Sequence, residues 1–234
     1  MRKVLSIGAV SLVVVLAAAI GLYSLMNSRT FQLAGTLVSH VETDEKVVAL
    51  TFDDGPTART PELLATLDAA DVPATFYLIG KDLAAHPEYG KQIVDAGHEI
   101  GNHSFSHRRM VFVTPGTVRD EIERTDAEIR KTGFSGDITF RPPYGKKIFA
   151  LPKYLADHGR TSVTWDVEPD SGVDHTREQI VDETVSNTKP GSIILLHAME
   201  PGRAESAAAV PDIVARLKAD GYRFTTVSDL LTGG

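Results

Sequence analysis

The chain has 234 residues, with 24 Lys+Arg against 31 Asp+Glu, a formal net charge of −7 and no Cys. That length holds one compact domain plus an accessory segment, and 42% hydrophobic residues suffice for a core, which excludes an all-disordered chain. The missing Cys excludes disulfide frameworks, thiolate metal sites and cysteine nucleophiles, and the acidic balance without a basic run beyond the N-terminus excludes a nucleic-acid partner.

Arg2 and Lys3 precede an uncharged, largely apolar run over 4–26. At roughly 1.5 Å per residue it spans about 34 Å, enough for a hydrocarbon core of about 30 Å. Residues 1–28 are therefore expected to form one N-terminal transmembrane helix, a signal anchor with its basic end cytoplasmic and the rest of the chain outside the cell membrane. The alternative is a signal peptide cleaved near Ala17-Ala18-Ala19, which leaves the protein secreted. Residues 29–45 are polar and mixed, and read as a linker.

From Lys46 onward, β-type runs at 47–52, 74–79, 99–103, 138–141, 161–167, 192–197 and 223–227 alternate with helical patterns. The helical stretches are 60–70, 82–96, 115–131, 148–158, 177–188 and 206–220, with Pro61 and Pro115 near helix starts and Gly97, Gly133, Gly159 and Gly221 at helix stops. Such alternation predicts an α/β fold with about seven parallel strands and helical crossovers over 46–232. A full eight-fold barrel needs about 250 residues, so a shortened or distorted (β/α) barrel is expected.

The polar clusters fall at the C-terminal ends of these strands, the face on which parallel α/β folds build active sites. They are Thr51-Phe52-Asp53-Asp54-Gly55-Pro56, then His103-Ser104-Phe105-Ser106-His107, Arg141-Pro142-Pro143-Tyr144-Gly145, the stretch from Trp165 through Asp166 to Asp170, and Leu195-Leu196-His197. Asp53-Asp54-Gly55 reads either as a turn or as two carboxylates pointing opposite ways, one toward a metal and one toward substrate. His103 and His107 read either as surface residues or as a pair sharing a cation from one helical face; with a carboxylate they make a two-His-one-carboxylate set. No G-x-S-x-G elbow is present, which weakens a Ser-His hydrolase reading. His40, His86, His98, His158 and His175 have no partner pattern, and Lys146-Lys147 and the acidic stretch 120–124 read as solvated surface.

The order TFDDGP, HSFSH, RPPYG, a Trp-containing segment and LLH resembles the polysaccharide deacetylase family (NodB-homology, carbohydrate esterase family 4) over residues 46–231. The resemblance implies a NodB-like barrel and a metal-dependent hydrolase that removes acetyl groups from N-acetylglucosamine units of peptidoglycan or a chitin-like oligosaccharide. It implies Asp53 as general base, oriented by Arg141, and Asp54, His103 and His107 as ligands of a divalent metal, zinc by family habit, with cobalt or nickel also fitting. It also implies the Tyr144 backbone N–H as oxyanion donor, Trp165 and Leu195 as walls of the acetyl pocket, and His197 as general acid. The family often carries Asp-x-x-Asp-Trp, whose second Asp partners the catalytic His. Here the segment reads Glu168-Pro169-Asp170-Ser171-Gly172, so either Asp166 or Asp170 supports His197, or His197 is tuned differently. Gly172 in place of the Trp predicts a more open groove wall.

The expected partners are an N-acetylated glycan and, through the N-terminal helix, the membrane; a monomer is favoured. Rival readings are an O-acetyl esterase acting on a xylan-like glycan and a catalytically silent glycan-binding module.

Overall fold

The structure, a computed structural model, describes the backbone of residues 2–172 and 174–233, with side chains from residue 12 onward within that range. Helix α1 (Arg2–Asn27) is followed by strand β1 (Leu37–Val38), β2 (Val47–Asp53), α2 (Thr60–Ala70), β3 (Thr75–Leu78), α3 (Gly80–Ala85), α4 (Pro87–Asp95), β4 (Glu99–Asn102) and α5 (Pro115–Lys131). A 3-10 turn (Pro143–Gly145) leads to α6 (Ala150–Asp157), β5 (Ser162–Val163), α7 (Arg177–Asn187), β6 (Ile193–Leu196), α8 (Ala204–Ala219), β7 (Arg223–Thr225) and α9 (Val227–Thr232).

The strand pairs are parallel. β2 lies between β3 and β6, β4 lies beyond β3, and β7 pairs the first residues of β2. Single-residue parallel bridges carry the pairing round: Phe140 bridges Asn102 and Ser162, and Val167 bridges Ile194. The α/β architecture of parallel strands is the one expected, curled into a small barrel that isolated bridges close.

β2 is buried on both faces, and its alternation sorts its residues. Val48, Leu50 and Phe52 pack with Leu67, Phe76, Ile100 and Leu196 in the core under the helices. Val47 and Ala49 face a second cluster with Tyr77, Trp165 and Leu195. The same alternation turns Thr51 and Asp53 toward that second face, where Arg141 meets both.

Several expectations are corrected. The runs 138–141 and 161–167 are extended but poorly paired: Phe140 N–H donates to Thr161 O at 3.0 Å and Val163 N–H to Phe140 O at 2.8 Å. Pairing along the first run stops at Pro142 and Pro143, which have no N–H to donate. The helix expected over 82–96 breaks at His86, whose φ of −135° and ψ of 60° are non-helical because Pro87 follows. The chain after β7 turns into α9, where Thr226 accepts from the Asp229 N–H.

Residues 29–45, expected as a linker, are fastened to the domain. Leu37 and Val38 pair with Ser162 and Val163, and Val41 N–H donates to Gly191 O at 3.0 Å. At Gly191 (φ +81°) a Cβ would stand 1.7 Å from the Val41 carbonyl oxygen, so glycine alone admits this approach. The described side chains of α1 begin at Leu12, leaving about 24 Å of helix, and no helix among the described residues is long and apolar enough to cross a membrane. The transmembrane helix expected from the sequence is unsupported to that extent; the side chains of Arg2 and Lys3 lie outside the described residues.

Candidate active site

The C-terminal end of β2 delivers Asp53 into the barrel and Asp54 to its mouth. Arg141 is fully buried and donates through Nη1 to Asp53 Oδ1 at 2.6 Å and to Thr51 Oγ1 at 2.8 Å, while Nη2 donates to Thr164 O at 3.2 Å. Its guanidinium lies 4.0 Å over the Tyr77 ring. A buried guanidinium with this many fixed acceptors leaves the Asp53 carboxylate one orientation.

His103 and His107 do not share a helical face. They sit on a loop after β4, with their ring centroids 4.9 Å apart and Ser104 and His107 in left-handed backbone at φ 65° and 57°. Polar brackets hold that strained loop. Asn102 Oδ1 accepts from Ser104 N–H at 2.8 Å, and Ser104 Oγ accepts from His107 N–H at 3.1 Å. Glu121, expected on a solvated face, is buried and takes the Ser106 N–H at 2.8 Å and hydroxyl at 2.6 Å.

His103 Nδ1 lies 2.8 Å from the Arg141 carbonyl oxygen, which only accepts, so this nitrogen carries the proton and Nε2 keeps its lone pair. That Nε2 is 3.8 Å from Asp54 Oδ1, and His107 Nε2 is 3.3 Å from the same oxygen. Ligand atoms from Asp54, His103 and His107 all fall within 4.8 Å of one another. Asp54 Oδ1 is buried without a hydrogen-bond donor. Burial pushes the Asp54 carboxyl up and the His107 imidazole down to about 3. An orphaned carboxylate oxygen and an imidazole held neutral are what a divalent cation takes as ligands, so the set fits a divalent metal.

His197 follows β6. Its Nδ1 lies 2.9 Å from Asp170 Oδ1, and its backbone N–H donates to Asp170 Oδ2 at 2.7 Å. Ser206 Oγ donates to the same Oδ2 at 2.6 Å, and Arg203 Nη1 to the Asp170 carbonyl at 2.7 Å. Burial alone would lower the His197 pKa, but the Asp170 hydrogen bond and charge, helped by Asp53 and Asp54, outweigh it and push the imidazole up to about 9. For Asp170, burial pulls upward, yet the hydrogen bonds and charge of His197 and the Ser206 hydroxyl hold its carboxyl below the usual range. Asp166 takes no part. It accepts from Ser192 Oγ at 2.9 Å and Ile193 N–H at 2.9 Å, beside His40 Nδ1 at 3.1 Å.

Asp53, Asp54, His103, His107, Tyr144, Trp165, Leu195 and His197 line one cavity of about 670 Å³. Tyr144 is half-exposed in left-handed backbone (φ 60°), its ring 4.7 Å from that of His107. Trp165 is buried, with Nε1–H donating to Glu168 Oε2 at 2.7 Å. Sequence reasoning missed Glu121, Ser206 and Arg29, the last of which also lines the cavity. Their contacts join segments far apart in the chain, and no local pattern marks them. Lys147, expected at the surface, is buried; burial pushes it down to about 8 and its Nζ donates to the Ser28 carbonyl at 2.6 Å.

The family model described as "Polysaccharide deacetylase" matches residues 40–163. A peptidoglycan-N-acetylglucosamine deacetylase of Bacillus cereus is 36% identical over 204 residues, covering 84% of this chain and 93% of its own length. A peptidoglycan-N-acetylmuramic acid deacetylase of Bacillus subtilis is 32% identical over 194 residues, covering 81% of this chain and 73% of its own length. The crystal structure of a peptidoglycan N-acetylglucosamine deacetylase bound to a benzamide compound superposes with a TM-score of 0.77 at 31% identity, covering 82% of this chain and 91% of that one. The chain belongs to the polysaccharide deacetylase family, and as an enzyme it is a polysaccharide N-deacetylase.

Proposed function

We propose that the chain removes acetyl groups from N-acetylglucosamine units of cell-wall peptidoglycan, with chitin-like oligosaccharides as accessible substrates. The observation that carries this reading is the convergence, in one cavity, of an Arg141-braced Asp53, an Asp170-braced His197 and the Asp54–His103–His107 triplet. The names of the similar proteins supply the choice of peptidoglycan.

A divalent cation on Asp54, His103 and His107, zinc by preference with cobalt or nickel as substitutes, would acidify water and polarise the acetyl oxygen. Asp53 accepts the proton of the attacking water as its oxygen bonds to the acetyl carbon. The Tyr144 backbone N–H donates to the negative charge that develops on the acetyl oxygen. His197, protonated at neutral pH, donates to the departing nitrogen as the C–N bond breaks, leaving acetate and a free amine. Trp165 and Leu195 enclose the acetyl methyl group. The intact set weighs against a silent binding module.

The apolar run 4–26 directs export of the domain, retained as an anchor or cleaved. Support comes from Leu12, Val13, Val14, Val15 and Leu16, which are exposed at consecutive positions and so on every side of α1. Fractionation of cells making the full chain tests this: recovery in the soluble cytoplasmic fraction would sink it.

For the activity, acetate release is measured from the chain stripped with chelator and then given zinc, on peptidoglycan, chitooligosaccharides and acetylated xylan. Zinc-restored acetate from the N-acetylated glycans is expected. Release from acetylated xylan alone would transfer the reading to an O-acetyl esterase.

A further inference from the structure

Arg29 reaches the cavity from the segment between α1 and β1. The backbone there is clamped. Lys147 Nζ donates to the Ser28 carbonyl at 2.6 Å, and Thr164 Oγ1 donates to the Arg29 carbonyl at 2.6 Å. The guanidinium lies 4.8 Å over the Trp165 ring. Its Nη2 donates to Glu168 Oε2 at 2.5 Å, the oxygen that also receives the Trp165 Nε1–H. Ser171 and Gly172, which also line the cavity, contribute no bulky side chain.

Glu168 is 11% exposed and Arg29 is 47% exposed, so the carboxylate is tucked away while the guanidinium meets solvent. Within the described residues, Nη2 alone of the three guanidinium nitrogens makes a hydrogen bond. The Nε–H and both Nη1 hydrogens remain for an acceptor, and the Nη1–Nη2 edge of a guanidinium is a planar fork that matches a carboxylate. Because backbone and ring plane are already held, engaging such a group costs little ordering entropy.

We propose that Arg29 is a substrate-binding residue that selects N-acetylated glycans carrying a carboxylate beside the sugar that is deacetylated. The proposal rests on the deacetylase reading for its substrate, not for its binding test.

Two N-acetylated oligosaccharides of equal length are compared on the full chain, one neutral and one with carboxylates on alternate sugars. Calorimetric binding and acetate release are both recorded. The unsubstituted chain is expected to bind the acidic oligomer about tenfold more tightly, a preference that shrinks with added salt. Arg29→Gln should raise KM for the acidic oligomer about tenfold more than for the neutral one, and Arg29→Lys should recover part of the difference, since an ammonium is a point charge without the fork. Equal binding of both oligomers by the unsubstituted chain overturns the proposal, as does an equal KM change on both in Arg29→Gln. An equal fall in kcat on both would reassign Arg29 to bracing Trp165. Binding preference without any acetate would instead count against the deacetylase reading and leave the Arg29 assignment standing.

Discussion

Asp170 grips His197 twice, through Nδ1 at 2.9 Å and through the backbone N–H at 2.7 Å. One carboxylate thus sets both the orientation and the charge of the imidazole. The residue after it, Ser171, occupies the position where the family pattern places the supporting Asp, so the partner has moved one position toward the N-terminus.

The pH dependence follows from that grip. His197 titrates near 9 in the fold against 6.5 when free, so the acid form persists across neutral pH and activity should fall as pH rises through about 9. Asp170→Asn removes the hydrogen-bonded charge and leaves burial in command, so the alkaline limb of kcat should move down by a unit or more, on the order of the lost interaction. The sign for stability agrees: the contribution of His197 is fully present below 6.5 and is lost as pH rises through about 9, while that of Asp170, its carboxyl held low, is lost only in acid. A limb unmoved in Asp170→Asn would remove His197 from the role of acid.

Asp54→Ala is expected to lose metal and activity together, measured by metal content and acetate release on the same preparation. Asp53→Asn should keep its metal while kcat falls about 100-fold or more. Full activity in Asp53→Asn would show that Asp53 is not the base.

Arg141 and Asp53 form a buried pair, so removing one partner strands the other. Arg141→Gln should cost about 3 to 5 kcal/mol in urea unfolding. Adding Asp53→Asn to that variant should recover part of the loss, since no buried charge then remains. If the double variant were as unstable as the sum of the two single ones, the pair would not be coupled.

Glu121 touches no metal ligand side chain, yet it holds the Ser106 backbone one residue before His107. Glu121→Ala should weaken zinc affinity about 10- to 100-fold, as loss of supporting contacts does elsewhere. Chelator titration reads this, with circular dichroism checking that the fold persists.

His98 is buried against Phe76 and accepts the Ala74 N–H through Nδ1 at 3.2 Å; burial lowers it to about 4. The unfolded chain binds this proton first, so stability should be intact above 6.5 and fall as pH drops toward 4. His98→Asn keeps an acceptor without the titration, and its acid-unfolding midpoint should lie at lower pH than that of the parent.

Period-2 and period-3.6 hydrophobicity, with Pro and Gly at the joints, determined the parallel α/β order and put TFDDGP, HSFSH and LLH at strand ends, because those signals are carried by neighbours in the chain. α2 and α5 run over the very residues the pattern marked, 60–70 and 115–131. The tertiary structure alone decided what depends on segments distant in sequence. It chose Asp170 over Asp166 as the partner of His197, buried Glu121 under the His loop, and brought Arg29 to the rim of the cavity. Each is a hydrogen bond between residues 15 to 139 positions apart. Such bonds form only once the barrel has closed and water has been excluded, and nothing in the local pattern of a single segment encodes them.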